Sequence, residues 1–399
     1  MRGKYELADI INSFYNESYR CRLPVYKQPT LRALQQCRTA ALGGHVDACD
    51  SCGHQQISYN SCRNRHCPKC QGLQKEMWAI QREEELLPVG YFHVVFTLPK
   101  ELRGLCLRNP KLMYDLLFES AWYVIRTFGQ DEKWLGAKSA ATIVLHTWSQ
   151  TLTLHPHVHC IVPSGGLTKS EKWKGPNKGN SNFLYPVLAM NQVYKAYFLR
   201  RLRQHLEVGE LPLPCDFPTG DAYYNWKEAL YKKEWVVYTK PPFGGARNVV
   251  KYLARYSHRV AITNQRITNI TDTHVTFNYK DYNNGGVRKT MTLLGEEFLH
   301  RFSLHILPGR FRKIRHYGFL SNASKKKSLA IARLALHQSH ARKLSGAERR
   351  ELAVSRLFSN QGQLCPNCKK GQMIIMDIIA PNKDPPCLIN SNKVPHPIF

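Results

Sequence analysis

The stretch ATIVLHTWSQTLTLHPHVHCIVPSGG, residues 141–166, decides the fold. ATIVLH is rich in β-branched residues and reads as a strand ending at His146. Further on, His157 and His159 flank Val158. In an extended strand alternate side chains share a face, so both imidazoles point one way while Val158 packs into the sheet. If the two strands pair as a hairpin, His146 arrives beside them and completes a three-histidine set; Gln150 and His155 compete for that third place. Neutral imidazoles on a rigid strand are metal ligands in place, and such a site with open positions suits Mg²⁺ or Mn²⁺ acting on a phosphate. Ordinary hydrogen-bonded histidines give the same pattern.

Outward from the hairpin, YFHVVFTLP (91–99) reads as a further strand, and PKLMYDLLFESAWYVIRTF (110–128) between the two has helical spacing. Strands separated by helices predict an α+β sheet domain. SGGLTKSEKWKGPNKGNSN (164–182) is polar, basic and glycine-bearing, an exposed loop. NVVKYLARYSHRV (248–260) is helix-like, and FLHRFSLHILPGRFRKIRHYGFL (298–320) interleaves cations with aromatics. Before the sheet lies a cysteine-rich segment leaving through QGLQKEMWAIQREEELL and broken by Pro88 and Gly90; after about residue 321 comes a Lys/Arg-rich helical tail with a Cys365-x-x-Cys368 pair. The expected division is residues 1–88, 89–320 and 321–399.

Lys and Arg number 57 against 29 Asp and Glu, a formal charge of +28 over 399 residues. So strong an imbalance points to an extended polyanion, nucleic acid before an anionic membrane surface. No apolar run long enough for a membrane span or a secretory signal appears, so a soluble, cytoplasmic, nucleoid-associated protein is expected. In that compartment thiols stay reduced, and clustered cysteines suggest metal. Cys49-x-x-Cys52 precedes Cys67-x-x-Cys70, two knuckles able to close a tetrahedral structural Zn²⁺ site, with Cys62, His45, His54 and His66 as competitors. Binding the ion would stabilise a segment too short for its own core. Cys21, Cys37, Cys106, Cys160 and Cys215 stand alone and read as small buried residues. Arg63, Asn64, Arg65 and Lys69 crowd the knuckle loop, where they suit DNA contact or a solvated face.

In KYLARYSHRV, Tyr252 and Tyr256 lie four residues apart, on one face of a helix. A phenol is a usable nucleophile toward phosphorus. Val249, Leu253 and Val260 beside that stripe fit core packing equally, whereas Arg255, His258 and Arg259 supply phosphate-seeking groups. Arg312, Lys313 and Arg315, set among Phe302, Phe311, His316 and Tyr317, fit a groove that tracks a single strand while bases stack on rings; the aromatics also fit a core.

These elements occur in an order that resembles the IS91 family of insertion-sequence transposases, within the HUH endonuclease superfamily. RTAALGGHVDACDSCGHQQISYNSCRNRHCPKCQG (38–72) resembles that family's zinc-binding domain, and FHVVFTLP (92–99) with HTWSQTLTLHPHVHCIVPSGGL (146–167) its HUH motif. KPPFGGARNVVKYLARYSHRVAITNQRI (240–267) resembles the two-tyrosine segment, and FSLHILPGRFRKIRHYGFLSN (302–322) the closing block. Ser164 departs from the glycine of the family pattern. The resemblance implies an HUH-like antiparallel sheet with flanking helices, His157 and His159 as metal ligands, and Tyr252 and Tyr256 as nucleophiles. The expected activity is single-strand DNA cleavage and transfer through a 5′-phosphotyrosine in rolling-circle-like transposition. Its partners are transposon ends, target DNA and a host helicase. A replication initiator or relaxase, or a non-catalytic DNA-binding remnant, are the rival readings. The Cys365 pair looks like half a knuckle, with Cys387 and His396 as conceivable partners or none.

Overall fold

The computed structural model describes residues 4–176, 184–211, 220–240, 260–338, 343–358 and 364–382. The N-terminal segment contains α1 (Leu7–Phe14), α2 (Glu17–Arg22), α3 (Gln28–Gln35), β1 (Gly44–Cys49), β2 (Gln55–Tyr59) and α4 (Gln71–Glu83). The central part runs β3 (Tyr91–Thr97), α5 (Arg103–Arg108), α6 (Pro110–Gln130), β4 (Ala140–Trp148) and β5 (Leu154–Pro163). A short ribbon, β6 (Gly166–Leu167) and β7 (Trp173–Lys174), leads to α7 (Val187–Glu207), α8 (Gly220–Lys232) and β8 (Val236–Lys240). Then come β9 (Ile267–Ile270), β10 (His274–Asp281), β11 (Val287–Leu294), α9 (Gly295–Ser303) and β12 (Ile314–Gly318). The tail contributes α10 (Lys325–Ala335), α11 (Gly346–Phe358) and β13 (Met373–Ile379).

The fold is α+β, as the alternation of strands and helices predicted. Its main sheet has five strands in the order β12-β4-β5-β3-β8, each pair antiparallel. The two strands of residues 141–166 sit at its centre as a hairpin, with His146 opposite His157. Period-two alternation gives the sheet two unlike faces. Phe92, Val94, Phe96, Ile143, Leu145, Val158, Cys160, Val162 and Val237 point into one core with α6 and α7. Pro110 opens α6 without wasting a hydrogen bond, and its apolar residues recur at three- and four-residue spacing, from Met113 through Leu117, Ala121, Val124 and Phe128.

The opposite face bears His93, Thr142, Val144, His146, His157, His159 and His316, the register placing them on adjacent strands. One end is covered, Tyr91, Val144 and Ile161 packing with Trp78, Leu86, Val89 and Ile314. There Arg82 of α4 meets His316 Nε2 at 2.8 Å, and His316 Nδ1 meets Thr142 Oγ1 at 2.9 Å. Basic residues of the tail hold α4: Arg349 pairs with Glu84 at 2.8 Å, Arg356 with Glu83 at 2.8 Å, and Lys325 with Glu85 at 2.7 Å.

A second core joins the N-terminus to the small sheet β11-β10-β9. Leu7, Ile10, Ile11, Phe14, Leu31 and Leu34 pack with Val275, Phe277, Phe298 and Phe302. The tip of the histidine hairpin enters that core through Leu152, which is fully buried. Arg301 Nη1 donates to the carbonyl of Thr151 at 3.2 Å, and the His305 ring meets that of Leu152 at 3.0 Å. The hairpin carrying the histidines is thus gripped at its turn as well as along its ladder.

Candidate active site and metal centres

His146, His157 and His159 converge, one ring nitrogen from each lying within 4.8 Å of the others. Their ring centroids are 4.6 Å apart for His146 and His159, 4.9 Å for His157 and His159, and 5.5 Å for His146 and His157. The sequence left the third position open between three residues, and the hairpin register brings His146 to it. The Gln150 amide oxygen is engaged instead with the Lys280 backbone N–H at 3.5 Å. A bulge between His146 and Trp148 adjusts the strand at this point, a common device beside functional side chains. Trp148 stacks on the His146 ring at 4.6 Å and fixes its tilt.

Two of the rings are oriented from behind. His157 Nδ1 lies 2.7 Å from the carbonyl of His155, so it donates there and Nε2 carries the lone pair. His159 Nδ1 lies 2.8 Å from Nε2 of His93 on β3, the two rings nearly parallel. Burial, with Lys240 adding repulsion, pushes His93 down to about 4, so near neutrality it is uncharged and can accept from His159. An outer partner of this kind sets a ligand's tautomer and orientation. His93 was not singled out from sequence, since one histidine in YFHVVFTLP looks like any buried strand residue. Its signal was alternation, which puts it on the face of Val95 and Thr97 and across the ladder from β5.

Tyr252, Tyr256, Arg255 and Arg259 lie outside the described residues. On either side of them, Lys240 pairs with His93 across the β8–β3 ladder and Val260 is buried.

The cysteines form two clusters, and this corrects the expectation of one ion held by Cys49, Cys52, Cys67 and Cys70. Cys67 and Cys70 gather with Cys37 and Cys62, while Cys49 and Cys52 gather with Cys365 and Cys368. The reason is local direction: β1 carries the first knuckle toward the tail strand β13, its antiparallel partner, whereas the second knuckle opens α4 and turns back on the end of α3. Cys37, expected to be an apolar filler, is a member of the first cluster, and Cys365 and Cys368 of the tail are members of the second. Cys106 and Cys160 are buried as expected, Cys21 is exposed, and Cys215 lies outside the described residues. In the first cluster the Sγ separations are 3.7 Å for Cys62–Cys70 and 3.4 Å for Cys37–Cys67. Four sulfurs at about 2.3 Å from a tetrahedral Zn²⁺ stand about 3.8 Å apart, so the cluster has nearly the dimensions of the site.

The cations of the second knuckle serve the fold. Arg65 Nη2 donates to the carbonyl of Pro308 at 2.9 Å and Nη1 to that of Phe311, while Lys69 pairs with Glu6. Asn64 caps the loop, accepting from the His66 N–H at 2.9 Å and from Gln71 Nε2 at 2.7 Å. Arg63 is exposed. The predicted DNA-contacting trio is likewise unequal. Arg312 is exposed. Lys313 is half-buried and its ammonium is pushed down to about 8 by burial and then by Arg65. Arg315 pairs with Asp115 and lies over the Phe118 ring at 4.1 Å and the Phe311 ring at 5.2 Å, a stacked, largely internal placement.

Comparison with known proteins agrees with this architecture. Residues 140–328 match a family described as "Putative transposase", and residues 9–98 match the "Transposase zinc-binding domain". The chain is 40% identical over 394 residues to "Putative transposase y4qJ" of Sinorhizobium fredii (strain NBRC 101917 / NGR234), covering 96% of this chain and 98% of the relative. It is 28% identical over 305 residues to "Transposase for insertion sequence element IS801" of Pseudomonas savastanoi pv. phaseolicola, covering 73% and 70%. No solved structure matches. No described helix is long and apolar enough to cross a membrane. With a zinc-binding module at its N-terminus and a histidine-bearing sheet behind it, the chain belongs to the IS91-family transposases.

Proposed function

We propose that the chain cleaves and rejoins single-stranded DNA at transposon ends with Tyr252 or Tyr256 as nucleophile, a 5′-phosphotyrosine linking protein and strand. The observation that carries this reading is the convergence of His146, His157 and His159 on one sheet face, with two rings held from behind. Three neutral imidazoles fit a divalent ion, and by donor type they favour Mn²⁺ over Mg²⁺. When bound, such an ion supplies Lewis-acid stabilisation of the charge that builds on the scissile phosphate. The protein's own residues do the rest. The phenol gives up its proton, its oxygen bonds to phosphorus, and the P–O3′ bond breaks; the departing oxygen takes up a proton and leaves as a 3′ hydroxyl. Arg255, Arg259 and Arg312 bind the strand's phosphates, and Lys313 adds positive potential. The second tyrosine accepts the other end. DNA is the principal partner, with a host helicase supplying single strands, in the cytoplasm at the nucleoid.

The test is cleavage of labelled single-stranded DNA from the element's ends with Mn²⁺. Tyr252→Phe/Tyr256→Phe and His157→Ala should each abolish cleavage while DNA binding persists. Cleavage unchanged in the double phenylalanine variant would overturn the proposal.

A further inference from the structure

We infer that Cys49, Cys52, Cys365 and Cys368 bind a second zinc ion, which closes a ribbon from the two ends of the chain and makes the tail part of the N-terminal module. The matched zinc-binding family ends at residue 98, so it contains only half of this site. The partners lie 313 and 319 positions apart, yet their sulfurs meet at 3.6 Å for Cys52–Cys365 and 3.7 Å for Cys49–Cys368. These are the edges of a thiolate tetrahedron around Zn²⁺, about 3.8 Å, and far from the roughly 2.05 Å of a disulfide.

The backbone is arranged for thiolates. Ser51 N–H donates to Cys49 Sγ and Gly371 N–H to Cys368 Sγ, each at 3.4 Å. Each knuckle is closed by its own hairpin, Cys49 N–H donating to the His54 carbonyl at 2.9 Å and Cys365 N–H to that of Gly371 at 2.7 Å. The knuckles also bond to each other. Asp50 N–H donates to the Gln372 carbonyl at 3.1 Å, and Gln372 N–H to Asp50 Oδ1 at 2.8 Å. Below them β13 runs antiparallel to β1 from Cys49↔Met373 to Gly44↔Ile379. Gly371 makes the approach feasible, because a Cβ there would lie 2.5 Å from Cys49 Sγ and 2.5 Å from Asp50 Oδ1.

Four soft thiolates in a closed tetrahedron specify Zn²⁺ in a structural role, with no open position for chemistry. Each cluster has two buried cysteines, but of the other two the ribbon has Cys52 exposed and Cys368 half-buried, whereas Cys62 and Cys70 of the first cluster are both half-buried. A chelator should therefore remove the ribbon's ion first. Its loss frees β13, whereas the ion pairs of α11 with α4 remain.

The test is metal content of the purified full-length protein by mass spectrometry. The wild type should hold two zinc ions per chain. Cys49→Ser/Cys52→Ser, Cys365→Ser/Cys368→Ser and the four-serine combination should each hold one, because all four thiols serve the same ion. A wild type with one ion, iron in place of zinc, or an unchanged content in Cys365→Ser/Cys368→Ser would overturn the inference. Should a variant misfold, thiol alkylation of the wild type decides. Cys49, Cys52, Cys365 and Cys368 should become reactive together as a chelator releases the first ion. Free reactivity of Cys365 and Cys368 in the fully loaded protein would refute it.

Discussion

Replacing His93 by alanine removes the group that receives His159 Nδ1, without touching any of the three converging histidines. The two nitrogens are 2.8 Å apart, and His93 and His159 are only 2% and 7% exposed, so water does not readily take over the contact. Loss of such an outer partner typically weakens metal binding 10- to 100-fold, which corresponds to about 1.4–2.7 kcal/mol. Titration of the purified protein with Mn²⁺, read calorimetrically or by the resonance of the free ion, measures the affinity directly. His93→Gln retains a side-chain acceptor and should recover part of the loss, whereas His157→Ala should cost far more than His93→Ala. An affinity for His93→Ala within twofold of wild type, with circular dichroism unchanged, would refute the orienting role. A loss equal to that of His157→Ala would make His93 a ligand instead.

Other outcomes follow from the same contacts. Arg315→Ala should lower Tm by several degrees through the lost Asp115 pair and the stacking on Phe118 and Phe311, while Arg312→Ala should leave Tm unchanged and weaken single-stranded DNA binding, as thermal melts and salt-dependent binding would show. Gly318 has φ +65° and a Cβ there would fall 1.9 Å from the Ser139 carbonyl oxygen, so Gly318→Ala should cost at least about 2 kcal/mol in denaturant unfolding. His305 is 1% exposed and pushed down to about 4 by burial, so its neutral form is favoured by folding. The unfolded chain then binds the extra proton: this contribution is complete above about pH 6.5 and falls by about 1.4 kcal/mol per pH unit between there and pH 4. Melting temperatures from pH 7 to 4.5 should fall less steeply for His305→Gln than for wild type, and parallel curves would count against the assignment.

What sequence revealed and what it concealed divide along physical lines. The histidine hairpin was legible because a strand's period is fixed, so the spacing of His157 and His159 with a neighbouring strand ending at His146 leaves little freedom. A C-x-x-C pair, by contrast, states only that two thiolates turn to one point. Which second pair meets it is decided by strand pairing between β1 and β13, hundreds of residues apart, and that pairing has no local signature. Cys37 was concealed for the same reason, a lone cysteine near a helix end being indistinguishable from a packing residue until Cys62, Cys67 and Cys70 surround it. The β10–β11 hairpin carries a local signal, Asn284-Gly285-Gly286 between alternating segments, as a tight glycine-bearing turn requires. Cations were the hardest to place. Arg65 and Arg315 look like phosphate binders in sequence, yet each satisfies the protein's own carbonyls, carboxylates or rings, while Arg312 between them faces water.

The most direct test of the central claim is to digest the protein–DNA adduct formed on single-stranded end DNA with Mn²⁺ and to map the modified peptide by mass spectrometry. A nucleotide 5′-phosphate on Tyr252 or Tyr256, absent when His157 is alanine, is the predicted result. A phosphate on any other residue, or cleavage with no covalent intermediate, would contradict it.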